Sequence, residues 1–131
     1  MITYVDTSAA MKLLVDEGES KALVDKLQEL RAAGETLVSS WLLHTELRCA
    51  ANRHPAAVAT DAVEAVLSVL ALVDIDRADL TAAPSLPGHL RSADAIHLAS
   101  ALRVGCDAIL VYDEELRAAA ITVGIRPLSP S

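Results

Sequence analysis

Phenylalanine is absent from this sequence, and one Trp and two Tyr are its only aromatic residues. A core without large rings has to be filled by aliphatic side chains. With 53% hydrophobic residues, Leu, Val, Ile and Ala are plentiful enough to do it, which suits helices packed on a sheet. Cysteine is also scarce. Cys49 and Cys106 make neither a C-x-x-C pair nor the dense frame that staples small secreted domains, so a reduced, cytoplasmic setting is expected. Basic residues are outnumbered, 11 against 18 acidic ones, for a formal net charge of -7. That balance excludes a protein that grips nucleic acid mainly by neutralising phosphates over a broad basic face, so any such contact has to be local. Long apolar runs are missing too: AVEAVLSVLALV at 62–73 is interrupted by Glu64 and falls short of the roughly eighteen residues of a membrane span. The opening MITYVDTSAAMKLL lacks a basic head and contains Asp6, so it does not read as a signal peptide.

What is present alternates. ITYVD at 2–6 has strand character and passes at once into the helical TSAAMKLLVDEG. SKALVDKLQELRAAG then spaces Leu23, Leu27 and Leu30 as one helical stripe and stops at Gly34, and TLVSS at 36–40 returns to strand. A helix from Trp41 to Arg53 presents Leu43, Leu47 and Ala50, and beyond His54-Pro55 a second runs with Ala59, Ala62, Val63, Val66, Leu67 and Leu70 inward. LVDID at 72–76 reads as a short strand, and RADLTAAPSLPGHL as a helical turn mixed with loop. SADAIHLASALRVG is a helix with Ser92 as its candidate N-cap and Gly105 near its end. DAILVYD is a strand too apolar to have a wet face, DEELRAAAITVG the last helix and IRPLS a last short strand. The expected architecture is one domain over 1–131, a three-layer α/β/α sandwich around a mainly parallel sheet, with ligands bound beyond the carboxyl ends of the strands. Asp6 and Asp113 each close a predicted strand and stand at that end.

Four carboxylates occupy positions that their local pattern does not demand: Asp6, Glu46, Asp94 and Asp113. Singly, each has a structural explanation. Asp6 and Asp113 suit turns or helix entries, and Asp94 favours the positive end of its helix. Glu46, three residues after Leu43 and four before Ala50, lies on the border of a stripe its helix should bury, where a charge needs a partner such as Arg48 or Arg91. As a set they suggest more. Converging carboxylates about 4 Å apart repel by roughly 4 kcal/mol per pair at an effective dielectric near 20. Raised pKa values, arginines, or a hard divalent ion with oxygen ligands would relieve that. Mg²⁺ or Mn²⁺ in such a pocket supports phosphodiester hydrolysis and turns an acidic surface attractive to phosphate.

The residues V-D-T-S at 5–8, T-E-L at 45–47, L-R-S-A-D-A-I-H-L-A at 90–99, V-Y-D-E-E-L at 111–116 and G-I-R-P-L at 124–128 fall in one order along nearly the whole chain. In these the sequence resembles PIN-domain proteins, and among them the VapC-type ribonuclease toxins of type II toxin-antitoxin pairs. The resemblance implies an α/β/α fold, Mg²⁺- or Mn²⁺-dependent endoribonuclease activity and a cognate antitoxin. It places Asp6, Glu46, Asp94 and Asp113 on the family's acidic positions, with Asp6 and Asp94 as the direct metal ligands and Glu46 and Asp113 as ligands or holders of water. Glu115 is the reserve for Asp113. The proline-rich APSLPGH departs from the family's pattern and puts the local loop in question.

Other side chains read as structural. Thr7 and Ser8 suit helix capping, with a lesser option of orienting water or phosphate. His97, three residues after Asp94, suits a bonded place in a packed face rather than catalysis. His44 and Glu46 point apart on a helix and make no zinc motif. Arg48, Arg53, Arg91 and Arg117 are surface or ion-pair residues that could also meet RNA, and Trp41 suits core or interface. The helices over 18–33 and 56–71 leave apolar surface for a homodimer or an antitoxin. Two other functions fit acids at strand ends: a phosphohydrolase with Asp6 as nucleophile, and a non-catalytic binding module. The first wants a lysine late in the chain, whereas Lys12, Lys21 and Lys26 all lie early.

Overall fold

The computed structural model describes residues 1–131. Its elements alternate: β1 (Ile2–Val5), α1 (Thr7–Leu14), α2 (Ser20–Ala32), β2 (Thr36–Ser40), α3 (Trp41–Arg53), α4 (Thr60–Ser68), β3 (Ala71–Val73), α5 (Arg77–Ala82), a 3-10 turn (Ala83–Ser85), α6 (Ser92–Val104), β4 (Ala108–Leu110), α7 (Glu114–Thr122) and β5 (Arg126–Leu128). The five strands form one wholly parallel sheet in the order β3-β2-β1-β4-β5. Parallel strands need covered crossovers, and the alternation of side chains along each strand divides the core between two layers of helices. Val5, Leu37 and Leu110 join Ala9, Leu23, Leu27, Leu43, Leu47 and Val63 under α1 to α4. Their strand neighbours Tyr4, Val38 and Ile109 face the other way and pack with Leu98, Leu116 and Ala120 of α6 and α7. No helix is long and apolar enough to cross a membrane.

Strand order determines where a ligand can sit. From β1 the chain moves outward through β2 to β3, then returns to the other side of β1 for β4 and β5. The direction of winding therefore reverses between β1 and β4, and the crevice outside their carboxyl ends is the topological switch point. Asp6 follows β1 directly, and Asp113 follows β4 after Val111 and Tyr112. The two strands are held in register there by the Asp6 N–H donating to the Leu110 carbonyl at 3.0 Å.

Several local expectations need correction. Arg91, not Ser92, is the N-cap of α6, and it makes no side-chain capping bond. On α3 the third buried residue is Ala51 rather than Ala50, because a 100° step per residue carries the stripe from Leu47 to its i+4 neighbour. α4 begins only at Thr60, leaving Ala59 exposed while Val58 fills the core ahead of it. Trp41 is 47% exposed and is no core residue; its ring lies 4.7 Å from that of His44. RADLTAAPSLPGHL, by contrast, is helix and loop as expected: α5, then the 3-10 turn and a loop with His89 at φ 52, so the prolines follow α5.

Gly105 ends α6 in the left-handed conformation, at φ 78, with open space around the position of a Cβ. Gly105→Ala therefore meets only the backbone penalty of that region. A loss of about 1 kcal/mol is expected, read as a lower urea midpoint with an unchanged slope.

Candidate active site

Asp6 caps α1. It is 2% exposed, and its Oδ2 accepts from the Ser8 N–H at 3.0 Å and the Ser8 hydroxyl at 2.6 Å. The Ser8 Oγ in turn accepts from the Tyr112 N–H at 2.9 Å, tying the start of α1 to the chain leaving β4. The other Asp6 oxygen, Oδ1, is buried and has no hydrogen-bond partner. A buried carboxylate oxygen left bare is costly unless a cation answers it.

Glu46 reaches the same place from α3. Its Oε1 accepts from the Thr7 hydroxyl at 2.8 Å and lies 2.6 Å from His97 Nε2. Burial alone would push its carboxyl up, but His97, chiefly through its bond, and the Thr7 hydroxyl hold it below the ordinary range. The arginine partners considered from the sequence are not used: Arg48 pairs with Glu64 instead. Thr7 and Ser8 are thus not helix caps; their hydroxyls orient the two acids beside them.

Asp113 is the N-cap of α7, with Oδ1 accepting from the Leu116 N–H at 2.9 Å. Asp94 enters from the first turn of α6. Burial first, then the charges of Asp6 and Asp113, push its carboxyl above the ordinary range, against the opposing pull of His97 and Arg91. Asp94 thus feels both strand-end acids, across the switch point. As the side chains stand, no group of three or more His, Cys, Asp or Glu is arranged to hold a metal ion.

In each of the three hydrogen-bonded acids one oxygen is fixed by the protein and the other is left over: Oδ1 of Asp6, Oε2 of Glu46 and Oδ2 of Asp113. Such a donor set is all oxygen and negatively charged, with one bare buried oxygen, which suits a hard divalent cation. The sequence did not single out Ser40 or Tyr4, which line the back of the site through a bond of 3.0 Å between their hydroxyls. Lys12, the nearest lysine in sequence to Asp6, is engaged elsewhere, with Glu17 and Glu19 and over the Tyr112 ring.

The family model described as PIN domain matches residues 3–121. Ribonuclease VapC46 of Mycobacterium tuberculosis (strain ATCC 25618 / H37Rv) is 37% identical over 132 residues, covering 98% of this chain and 97% of that protein. Ribonuclease VapC35 of the same strain is 38% identical over 138 residues, covering 97% of this chain and 96% of that protein. Among solved structures, the crystal structure of VapBC2 from Rickettsia felis bound to a DNA fragment from its promoter contains a similar chain, with a TM-score of 0.74 at 12% identity and full coverage of both chains. VapC20 of Mycobacterium tuberculosis, described as a Sarcin-Ricin loop cleaving toxin, has a TM-score of 0.64 at 18% identity, covering 89% of this chain and 94% of that one. The two structures bear out the three-layer fold. With a family match over most of the sequence and curated relatives at 37% and 38% identity along nearly their full length, this chain belongs to the PIN-domain family and to its VapC-type members.

Proposed function

We propose that this protein is the endoribonuclease toxin of a type II toxin-antitoxin pair, hydrolysing RNA phosphodiester bonds with Mg²⁺ or Mn²⁺ held by Asp6, Asp94, Glu46 and Asp113. The observation that carries the reading is the bare, buried Oδ1 of Asp6 at the switch point of the sheet, with the charge of Asp6 bearing on Asp94. Asp6 and Asp94 are the direct ligands. Glu46 and Asp113 offer their unbonded oxygens to the ion or to its waters. Held there, a divalent ion would supply an activated water and offset charge on the phosphate.

The chain's own residues prepare the site. Ser8 fixes Asp6 and Thr7 fixes Glu46, so neither carboxylate must be ordered when the ion binds. Asp113, tied to the first turn of α7, is the fourth acid in preference to Glu115, since its charge is the one felt by Asp94. A net charge of -7 then needs no basic face, because the loaded site itself attracts phosphate. The protein partners in this reading are the cognate antitoxin and a second copy of the chain. An apolar groove of about 330 Å³ lies between α2 and α4 beside Leu13 of α1, lined also by Val24, Leu27, Ala62, Val66 and Val69.

The test is cleavage of an unstructured RNA by the purified protein in chelator and after addition of Mg²⁺ or Mn²⁺, beside a labelled phosphomonoester. Internal RNA cleavage that requires the ion, with the monoester untouched, is expected. Release of phosphate from the monoester with the RNA intact would replace this reading by the phosphohydrolase with Asp6 as nucleophile.

A further inference from the structure

We infer that His97 is a positioning residue that fixes the carboxylate of Glu46, braced from behind by Tyr4 and Ser40. His97 is on α6 and completely buried, 51 residues from Glu46 in sequence. Both of its ring nitrogens are engaged. Nε2 lies 2.6 Å from Glu46 Oε1 and 3.0 Å from the Thr7 hydroxyl, and Nδ1 lies 2.6 Å from the Tyr4 hydroxyl. The Tyr4 hydroxyl is also within 3.0 Å of Ser40 Oγ. A row of side chains therefore runs from Ser40 at the end of β2, through Tyr4 of β1 and His97 of α6, to Glu46 of α3.

Counting hydrogens determines what the ring does. An ionised carboxylate only accepts, so the nitrogen beside Glu46 has to donate. Two arrangements satisfy the row. In one, Ser40 donates to Tyr4 and Tyr4 to Nδ1 of a neutral ring; in the other, a charged ring donates from both nitrogens and Tyr4 donates to Ser40. Both put a hydrogen on Nε2, directed at Glu46. Burial pushes the Tyr4 phenol up, which keeps it a donor. The edge-on packing of the Tyr4 and His97 rings, 5.7 Å between centroids, fixes the ring plane as well. The arrangement has the form by which outer partners orient metal-binding groups, except that here a histidine orients a carboxylate. His97 itself touches neither the ion nor the RNA in this scheme.

The effect on cleavage rests on the function proposed above, so the test includes readouts that do not. Long-range ¹H–¹⁵N correlation spectra of the ion-free protein should show a proton on His97 Nε2. His97→Leu should lower Mn²⁺ affinity by calorimetry, and RNA cleavage with it, by about 10- to 100-fold. His97→Gln, whose amide can donate in place of Nε2, should stay within a few-fold of wild type. An unprotonated Nε2 in the wild-type spectrum overturns the inference. So does a folded His97→Leu protein that binds Mn²⁺ as tightly as wild type, or a His97→Gln protein as impaired as His97→Leu. Should His97→Leu fail to fold, the spectrum and His97→Gln decide between these outcomes. Wild-type protein that cleaves no RNA with either ion would remove the functional reading, while the spectrum and the Mn²⁺ titrations still judge His97.

Discussion

Asp94→Asn yields a folded protein in which ion-dependent RNA cleavage falls by roughly 10³-fold or more, a loss of about 4 kcal/mol in transition-state stabilisation. The substitution keeps the shape of the side chain and removes only its charge, at the entry of α6 where Asp6 and Asp113 already act on it. Its effect on stability has the opposite sign. Asp94's carboxyl is raised above its ordinary value in the folded protein, so folding favours the protonated form. The stabilisation from protonated Asp94 is complete below the unfolded value of about 3.9 and is lost as pH rises through the higher folded value, leaving an opposing charge at neutral pH. In chelator, therefore, Asp94→Asn melts at or above the wild-type temperature at pH 7, and its melting temperature varies less between pH 4 and 7. Adding Mg²⁺ or Mn²⁺ stabilises the wild type more than the variant. Thermal melts with and without the ion, beside the cleavage assay, measure each of these. Undiminished cleavage would remove Asp94 from the site, and a large loss of stability in chelator would make it a structural acid.

The parts of this site that could be read from the sequence are those whose signal is local. Asp6 and Asp113 close apolar strand-like runs and open helices, so their common end of a parallel sheet follows from the alternation of elements. Glu46 stood out because its helix carries Leu43 and Leu47 inward beside it. What escaped was pairing between distant elements. Nothing near His97 indicates that Glu46 will lie against it, since the contact exists only once α3 and α6 are placed on opposite faces of the sheet and meet at its carboxyl edge. The same limit applies to Tyr4 and Ser40. Each looks like an ordinary strand residue, and only the register of β1 beside β2 brings their hydroxyls together. Of the two places that suit Trp41, core or interface, exposure excludes the core, because a residue that opens a helix at the rim of a sheet has little above it.

A second carboxylate, which the sequence did not single out, underlies the largest expected effect on stability. Asp79 of α5 is 1% exposed and is held by Arg103 of α6, whose Nε donates to Oδ1 at 2.8 Å and whose guanidinium also reaches Oδ2 at 3.0 Å. The Ser100 hydroxyl and the Asp76 N–H donate to Oδ2 as well, each at 3.0 Å. Burial by itself would raise this carboxyl, but Arg103 first, then these two donors, hold it below the ordinary range. Arg103→Met removes the guanidinium while its chain still covers the site, and leaves a buried charge half answered. A fall of roughly 10 °C in melting temperature is expected. The pH dependence identifies the cause. In the wild type Asp79 contributes stability that is present above about pH 4, its unfolded value, and is lost as pH falls through the lower folded value. Without Arg103 the strongest of the groups that hold this carboxyl down is gone, and its folded value rises toward the unfolded one. The variant's deficit then shrinks as pH falls from 7 to below about 4, where Asp79 takes up a proton. Asp79→Asn in the Arg103→Met background should restore part of the lost stability at pH 7, since the amide keeps an acceptor for Ser100 and Asp76 but carries no charge. Equal deficits below about pH 4 and at pH 7, measured by urea denaturation, would mean that the arginine acts by packing against α5 and not through the carboxylate.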